Sequence, residues 1–180
     1  MKVVITGGGG FLGSQLAQKL LRRGSLTGPS GAVEPIEELV LLDAFFAQPA
    51  TDPRVRLVTG DISQREVVFA AVGQGAAVSI FHLASMVSGE CEERFDDALR
   101  VNLNGGRNVF EAARAATGKS RVIFASSIAC FGGEDMPEVM TDKPKNVSSN
   151  SYGESVAGDF RPPPAPFFQI KRSRRRIFIR

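Results

Sequence analysis

Three glycines near the start of the sequence have the spacing of a loop that holds phosphate groups. The apolar run Lys2–Thr6 leads directly into Gly7, Gly10 and Gly13, where a helical pattern begins. Glycine at the first position permits a tight turn, at the second leaves room for a pyrophosphate, and at the third lets the helix pack closely on the sheet. The N–H groups of the helix N-terminus then face the phosphates. The pattern therefore predicts a dinucleotide site.

The residues after the turn separate this prediction from two alternatives. A mononucleotide P-loop has Lys-Ser/Thr after its last glycine, whereas Gly13 is followed by Ser14 and Gln15. A plain flexible loop is the other alternative, since residues 7–10 are consecutive glycines. The glycines lie between a strand and a helix, which favours the dinucleotide site. Phe11 and Leu12 are the first residues of that helix and are expected to lie at the phosphates.

Asp43 follows the second apolar run and has a carboxylate that can accept both hydroxyls of an adenosine ribose. It lies 30 residues after Gly13, rather than about 20, and the predicted loop Gly24–Pro35 can contain the extra residues. Ala44–Phe46 include no basic residue for a 2′-phosphate, which favours NAD over NADP. The alternative is that Asp43 only caps a turn.

Apolar strands alternate with helical patterns along the sequence. The predicted strands are Lys2–Thr6, Glu38–Leu42, Arg54–Val58, Val78–Leu83 and Arg121–Ala125, and the predicted helices are Phe11–Arg23, Glu66–Val72 and Glu93–Ala116. This alternation predicts an α/β fold, a Rossmann-type doubly wound parallel sheet in three α/β/α layers. Ligands bind beyond the carboxyl ends of such strands, where the polar residues are Thr6, Asp43, Asp61, His82, Ser126 and Ser127.

The charge divides the chain into two parts. The net charge is +3, but residues 161–180 contain seven basic residues and no acid, which leaves 15 basic and 19 acidic residues before them. We predict a cofactor-binding domain over residues 1–158 and a Pro/Arg-rich tail over 159–180 that is disordered or aberrant. Binding of nucleic acid or an anionic membrane by the tail is an alternative that we do not favour.

Other features of the composition bear on location and on metals. The sequence has no apolar run long enough to span a bilayer and no recognisable signal peptide at its start. Cys91 and Cys130 lack metal-ligand spacing and are expected to be reduced thiols of a cytoplasmic protein. His82 is the only histidine, and we expect a structural role for it, with no metal site.

Further motifs accompany the glycine turn along the chain. They are Thr6–Gly13, Gly60–Ile62, His82–Ala84, Arg100–Gly105, Ala125–Gly132 and Ser151–Gly153, together with Asp43. Over roughly residues 1–155 they resemble the motifs of the extended short-chain dehydrogenases/reductases, the NAD-dependent epimerases, dehydratases and dehydrogenases of sugars. Within this family, HLASMVSGE and the segment around Met136–Val139 are most similar to dehydrogenases that oxidise a four-carbon sugar acid at a secondary hydroxyl.

The resemblance implies a role for each matching residue. Asp61 and Ile62 would flank the adenine, and Leu83, Ala84 and Ser85 would line the diphosphate and the nicotinamide ribose. The remaining residues belong to the reactive end: Asn102 near the active site, Ser127 as hydrogen-bond partner of the reacting oxygen, and Tyr152 as acid/base and cofactor contact. The implied partners are a sugar acid or nucleotide sugar, and the helix Glu93–Ala116 is where such proteins often form homodimers.

One position departs from the family's pattern. A tyrosine with a pKa of about 10 is a phenolate in only about one molecule in a thousand at pH 7. The family has a lysine four residues later, which lowers that pKa and contacts the nicotinamide ribose. Here Val156 occupies that position, and the substrate region expected after it is missing. We hypothesise that the last roughly 27 residues are read from a shifted frame or result from truncation.

Three functions therefore stay open for this chain. The first is an NAD-dependent oxidoreductase of a sugar acid, impaired by Val156. The second is a nucleotide-sugar epimerase or dehydratase, which shares the turn and the Ser/Tyr pair. The third is a non-catalytic NAD-binding fragment.

Overall fold

The computed structural model describes residues 1–73, 77–130 and 153, apart from the side chain of residue 128. The strands are β1 (Lys2–Thr6), β2 (Ser25–Thr27), β3 (Val33–Pro35), β4 (Glu38–Asp43), β5 (Val55–Thr59), β6 (Val78–His82) and β7 (Ser120–Phe124). The helices are α1 (Phe11–Arg23), α2 (Arg65–Val72), α3 (Ser88–Glu93), α4 (Phe95–Ala98) and α5 (Gly105–Ala115), with a π-helical segment Leu99–Asn104 and a 3₁₀ turn Ile128–Cys130.

The main sheet is parallel and has the strand order β5-β4-β1-β6-β7. The chain proceeds from β1 through β4 to the β5 edge, and then crosses back to β6 on the other side of β1. The strand order therefore reverses between β1 and β6, where Thr6 pairs with His82. Ligands bind in the crevice at such a switch point in open α/β sheets, so the topology predicts a ligand site at this end of the sheet.

Apolar residues on both faces of the sheet create two cores. Alternate residues of a strand point to opposite faces, and in β1 Val3 and Ile5 pack with Ala17 and Leu20 of α1. Val4 faces the other way, into the core formed with α2 and α5. The central strands are consequently buried on both faces, and the predicted three-layer Rossmann-type fold is confirmed.

The predicted loop Gly24–Pro35 is wrong in part, because the structure forms a short antiparallel hairpin there. Strands β2 and β3 pair from Ser25 with Pro35 to Thr27 with Val33. The reversal uses Gly31 at φ +90° and the hydrogen bond from the Gly28 amide to the Ala32 carbonyl. Three-residue strands in a Gly/Ser/Pro-rich segment carry too little alternation for sequence periodicity to detect.

The predicted helix Glu93–Ala116 also needs correction. Arg94, at φ −133° and ψ 61°, separates α3 from α4. Its guanidinium binds Asp97 in the first turn of the next helix. The chain then continues from α4 through the π-helical segment into α5, without an intervening loop. Amphipathic periodicity predicted the helical run but neither its break nor the π-helical turns.

Elsewhere the predicted and observed elements agree closely. Strand β1 and helix α1 have the predicted bounds, and the other predicted strands and α2 differ from their predicted bounds by one residue at one or both ends. Among the described residues, no helix combines the length and apolar character needed to cross a membrane.

Candidate cofactor site

Two of the predicted glycines are required by the packing of the protein itself. Gly7 has φ +72°, and a Cβ there would lie 2.8 Å from the backbone nitrogen of Ala84. A Cβ on Gly13 would lie 2.0 Å from the carbonyl oxygen of Gly7. Gly7 therefore lets the turn lie against the segment that follows β6, and Gly13 lets α1 lie against the turn itself, whereas the sequence pattern predicted close packing of the helix on the sheet.

Gly10 is different, because the protein leaves space beside it. A Cβ there would meet only the Gly7 carbonyl oxygen, at 3.4 Å, an ordinary contact. Gly10 precedes α1 and has no side chain that could cap the first turn. The first N–H groups of the helix lack partners within it. Phe11 and Leu12 follow with side chains 79% and 65% exposed. The open space at a helix N-terminus fits the pyrophosphate of a dinucleotide.

Asp43 is held at the end of β4 by two backbone amides. Its Oδ2 accepts a hydrogen bond from Gly9 N at 2.9 Å, and its Oδ1 accepts one from Ala44 N at 2.7 Å. A Cβ on Gly9 would lie 2.4 Å from the carbonyl oxygen of Phe45, so Gly9, which the sequence analysis did not select, permits this approach. Each carboxylate oxygen keeps a lone pair for a ribose hydroxyl.

Asp61 and Ile62 form the turn after β5. Asp61 Oδ1 accepts from Ser63 N at 2.8 Å, and its Oδ2 receives the guanidinium of Arg100. Partial burial alone would raise the pKa of Asp61, but the hydrogen bonds from Ser63 and Arg100 lower it below its usual range. Ile62 is 6% exposed and packs closely on Gly105. A Cβ added to Gly105 would lie 2.7 Å from the Cγ2 atom of Ile62. The structure thus presents a fixed, ionised carboxylate at this turn.

Thr6 connects the two strands that flank the switch point. Its hydroxyl accepts hydrogen bonds from the amides of Leu83 and Ala84, at 3.2 and 3.3 Å. Because these two amides use both acceptor sites of the hydroxyl oxygen, we assign its hydrogen to His82 Nδ1, which lies 2.7 Å away. Burial lowers the pKa of His82 to about 4, so the ring is neutral at pH 7 and can accept at Nδ1. Thr6 thereby fixes the backbone of the 83–84 segment beside Gly7.

Asn102 lies in the π-helical segment and is buried. Its Oδ1 accepts from Met86 N at 2.8 Å, and its Nδ2 donates to the Met86 carbonyl at 3.2 Å. π-Helical turns are frequent at functional sites, and this one places the amide where it holds the loop after β6. Ser85 is exposed on that loop, and its hydroxyl donates to the Met86 carbonyl.

Ser127 lies after the carboxyl end of β7. Its side chain is half-buried, and its hydroxyl accepts from the Ala129 amide at 3.2 Å. Near the ends of β6 and β7, a small cavity is lined by His82, Ala84, Ser85, Asn102, Phe124 and Ala125. Tyr152 and Val156 lie outside the described residues, so their predicted roles stay predictions.

The parallel sheet, the glycine turn at its switch point and the carboxylate at the end of the neighbouring strand define a dinucleotide-binding domain of the Rossmann type. Comparison with known proteins identifies the family. Residues 3–157 match the model of the NAD dependent epimerase/dehydratase family, and the chain belongs to that family. The predicted resemblance is thereby confirmed, and the predicted cofactor, NAD, is the one that the family name states.

Individual relatives agree with this assignment. D-erythronate dehydrogenase of Cupriavidus necator is 45% identical over 157 residues, which cover 87% of this chain and 48% of that protein. The crystal structure of the nucleoside-diphosphate-sugar epimerase from Agrobacterium tumefaciens matches with TM-score 0.70 and 35% identity, over 87% of this chain and 46% of that one. A mutant of uronate dehydrogenase from the same organism, complexed with NAD, matches with TM-score 0.62 and 28% identity, over 86% and 51%. The chain spans about half the length of these relatives.

Proposed function

We propose that this chain binds NAD, with the pyrophosphate beside Gly10 and the adenosine ribose on Asp43. The observation that carries the proposal is the open space at Gly10, because nothing in the protein itself demands glycine there. The carboxylate of Asp43, oriented by Gly9 and Ala44, supplies acceptors for two ribose hydroxyls. Ala44–Phe46 offer no cation to a 2′-phosphate, which favours NAD over NADP.

The rest of the cofactor follows from this placement. The adenine lies against Asp61 and Ile62, and the nicotinamide ribose runs along Leu83, Ala84 and Ser85. Support comes from the hydrogen bonds that Thr6 makes to the 83–84 amides, since they hold that segment next to the glycine turn. Backbone N–H groups of Phe11 and Leu12 face the phosphates at the start of α1.

We further propose that the chain is the cofactor-binding part of a dehydrogenase that oxidises a secondary hydroxyl of a sugar acid, with D-erythronate as the candidate substrate. The support is the 45% identity to D-erythronate dehydrogenase. Hydride transfer to NAD needs a base for the hydroxyl proton and an ordered oxygen. Tyr152 is the proposed acid/base, and Ser127 is the proposed partner of the reacting oxygen.

For the 180-residue chain alone we propose NAD binding with little or no turnover. Val156 stands where the family has the lysine that lowers the tyrosine pKa, and it has neither charge nor donor.

The second candidate is a nucleotide-sugar epimerase, which the similarity to a nucleoside-diphosphate-sugar epimerase favours. A cytoplasmic location is proposed as well, because Cys91 and Cys130 are both buried and form no disulfide.

Isothermal calorimetry with NAD, NADP and ATP tests the binding proposal. We expect NAD to bind, NADP to bind more weakly, and ATP to be bound weakly or not at all. Stabilisation of the protein in a thermal-shift assay with the same ligands is an independent readout, because a ligand of the folded state raises the unfolding temperature. Absence of NAD binding in both assays would contradict the proposal.

The reaction is tested by following NADH absorbance with D-erythronate and by analysing UDP-sugars for an epimerised product, because an epimerase returns the hydride to the sugar and accumulates no NADH. NAD binding without turnover supports a chain that is only the cofactor-binding part. NADH formation with D-erythronate at the rate of a complete dehydrogenase would contradict the proposed impairment. Conversion of UDP-sugars would favour the epimerase.

A further inference from the structure

The turn formed by Asp61–Ser63 is tied to the distant helix α5 by one side chain. The Nδ2 group of Asn108 donates hydrogen bonds to the carbonyls of Ile62, at 3.1 Å, and Ser63, at 2.8 Å. Both protons of one amide are therefore used on two successive peptide groups. Such a double contact fixes the orientation of the backbone between the two residues more firmly than either bond alone.

The same helical run contacts this turn at two further places. Arg100 reaches the carboxylate of Asp61 and the hydroxyl of Ser63, the latter at 2.8 Å. Ile62 packs on Gly105. Arg100, Gly105 and Asn108 thus hold the carboxylate, the apolar side chain and the backbone of the turn, respectively.

The contact of Asn108 differs from the other two, because it does not involve a group that the adenine would touch. It acts on the carbonyls, whose direction sets where the side chains of Asp61 and Ile62 point. Removing the amide leaves two carbonyls in a half-buried place without their donor, and such groups move towards water. The turn would then lose its fixed direction, although the turn residues themselves are unchanged.

We propose that Asn108 is a positioning residue for the adenine end of the cofactor site. The inference rests on the proposed NAD binding and adds to it that base recognition depends on α5. Asn108 sets the conformation of the Asp61–Ile62 backbone and touches neither the base nor the phosphates. Its loss therefore weakens recognition of the adenine ring and leaves the glycine turn and Asp43 unchanged.

The test compares NAD with nicotinamide hypoxanthine dinucleotide, which carries an oxygen in place of the adenine amino group. Calorimetry is run on wild type, Asn108→Ala, the isosteric Asn108→Asp, and Asn104→Ala. Asn104 is an exposed asparagine of the same helical run, so its variant is the matched control. We expect wild type and Asn104→Ala to prefer NAD, and both Asn108 variants to bind NAD about tenfold more weakly. Affinity for the hypoxanthine dinucleotide falls much less, so the preference decreases.

Hydrogen exchange of the apo proteins supplies a readout that does not depend on cofactor. In the Asn108 variants, exchange increases at the amides of Ser63 and Gln64, which bond to Asp61 in the wild type, and stays unchanged in β1 and α1. A general loss of stability would instead raise exchange throughout the sheet.

The outcomes separate this inference from the proposed function. If wild type binds neither dinucleotide, the proposed function fails and the inference fails with it. If wild type prefers NAD but the Asn108 variants keep that preference, only the inference is overturned. Equal affinity of wild type for both dinucleotides, or exchange that rises equally throughout the sheet, also overturns it.

Discussion

Gly10 and Gly13 belong to the same motif, but the protein itself excludes a side chain only at Gly13. At Gly13 a Cβ would collide with the Gly7 carbonyl at 2.0 Å, whereas at Gly10 the nearest atom lies at 3.4 Å. At the residue scale, one glycine therefore serves the fold and the other leaves space that a ligand can fill.

Alanine at each position separates these two roles. We expect Gly13→Ala to lower the free energy of unfolding by about 1–3 kcal/mol through overpacking. Gly10→Ala should cost less than about 1 kcal/mol, since alanine is only a poorer N-cap than glycine, but it should strongly weaken NAD binding. Urea denaturation and calorimetry measure the two effects. A Gly10→Ala protein with unchanged NAD affinity would contradict the proposed pyrophosphate position.

Asp43 permits a second prediction at this scale. Asp43→Asn removes the charge that accepts the ribose hydroxyls, and hydrogen bonds to charged groups contribute about 1.5–3 kcal/mol. We expect NAD affinity to fall by about tenfold to hundredfold while NADP affinity changes less, because the repulsion of its 2′-phosphate is also removed. Asp96→Asn, at an exposed position of α4, is the control. Equal losses for NAD and NADP would argue that Asp43 only caps a turn.

At the scale of elements, β1 and β6 are joined at their carboxyl ends by the hydrogen bond between Thr6 and His82. A neutral His82 can accept the Thr6 hydrogen at Nδ1, whereas a protonated ring carries its own hydrogen there and cannot accept. The ring is also 2% exposed and lies 5.3 Å from the Phe124 ring, centroid to centroid. The junction of the two strands at the switch point is therefore sensitive to acid.

The stability of the protein should consequently decrease as the pH falls below 6.5. Burial lowers the folded-state pKa of His82 to about 4, against about 6.5 in the unfolded chain. Between these values only the unfolded chain binds the proton, so unfolding becomes easier at lower pH. From pH 7 to pH 5 we expect a loss of about 2 kcal/mol, measured by urea denaturation. His82 is the only histidine, so His82→Leu should remove most of this dependence; an unchanged slope would refute the assignment.

At the scale of the whole molecule, the chain spans about half the length of its relatives. We predict that Val156→Lys in the 180-residue chain gives no NADH from D-erythronate. The same substitution should raise turnover when residues 1–157 are joined to the remaining half of the Cupriavidus necator dehydrogenase. A lysine can lower the tyrosine pKa, but turnover also requires a bound substrate. Turnover by the Val156→Lys chain alone, or a joined protein equally active with valine, would contradict this division of roles.

The sequence by itself determined the local features of the fold and the site. The apolar run of β1, the helical spacing of α1 and the glycines between them need only short-range information, and their bounds were predicted correctly. Asp43 could be selected for the same reason, since a carboxylate after a strand follows a local rule. The helical break at Arg94 and the hairpin of β2 and β3 were missed, because short elements give weak periodic signals.

Only the tertiary structure decided how distant residues act together. Thr6 and His82 are 76 residues apart in the chain, and Asn108 is 46 residues from Ile62. Each pair forms because the carboxyl ends of the parallel strands lie on the same side of the sheet and α5 packs beside them. No spacing rule encodes such contacts, since they depend on strand order and on the packing of α5. The sequence therefore selected the residues that are proposed to touch the cofactor, while the tertiary structure identified Thr6 and Asn108 as the side chains that hold the adjoining loops.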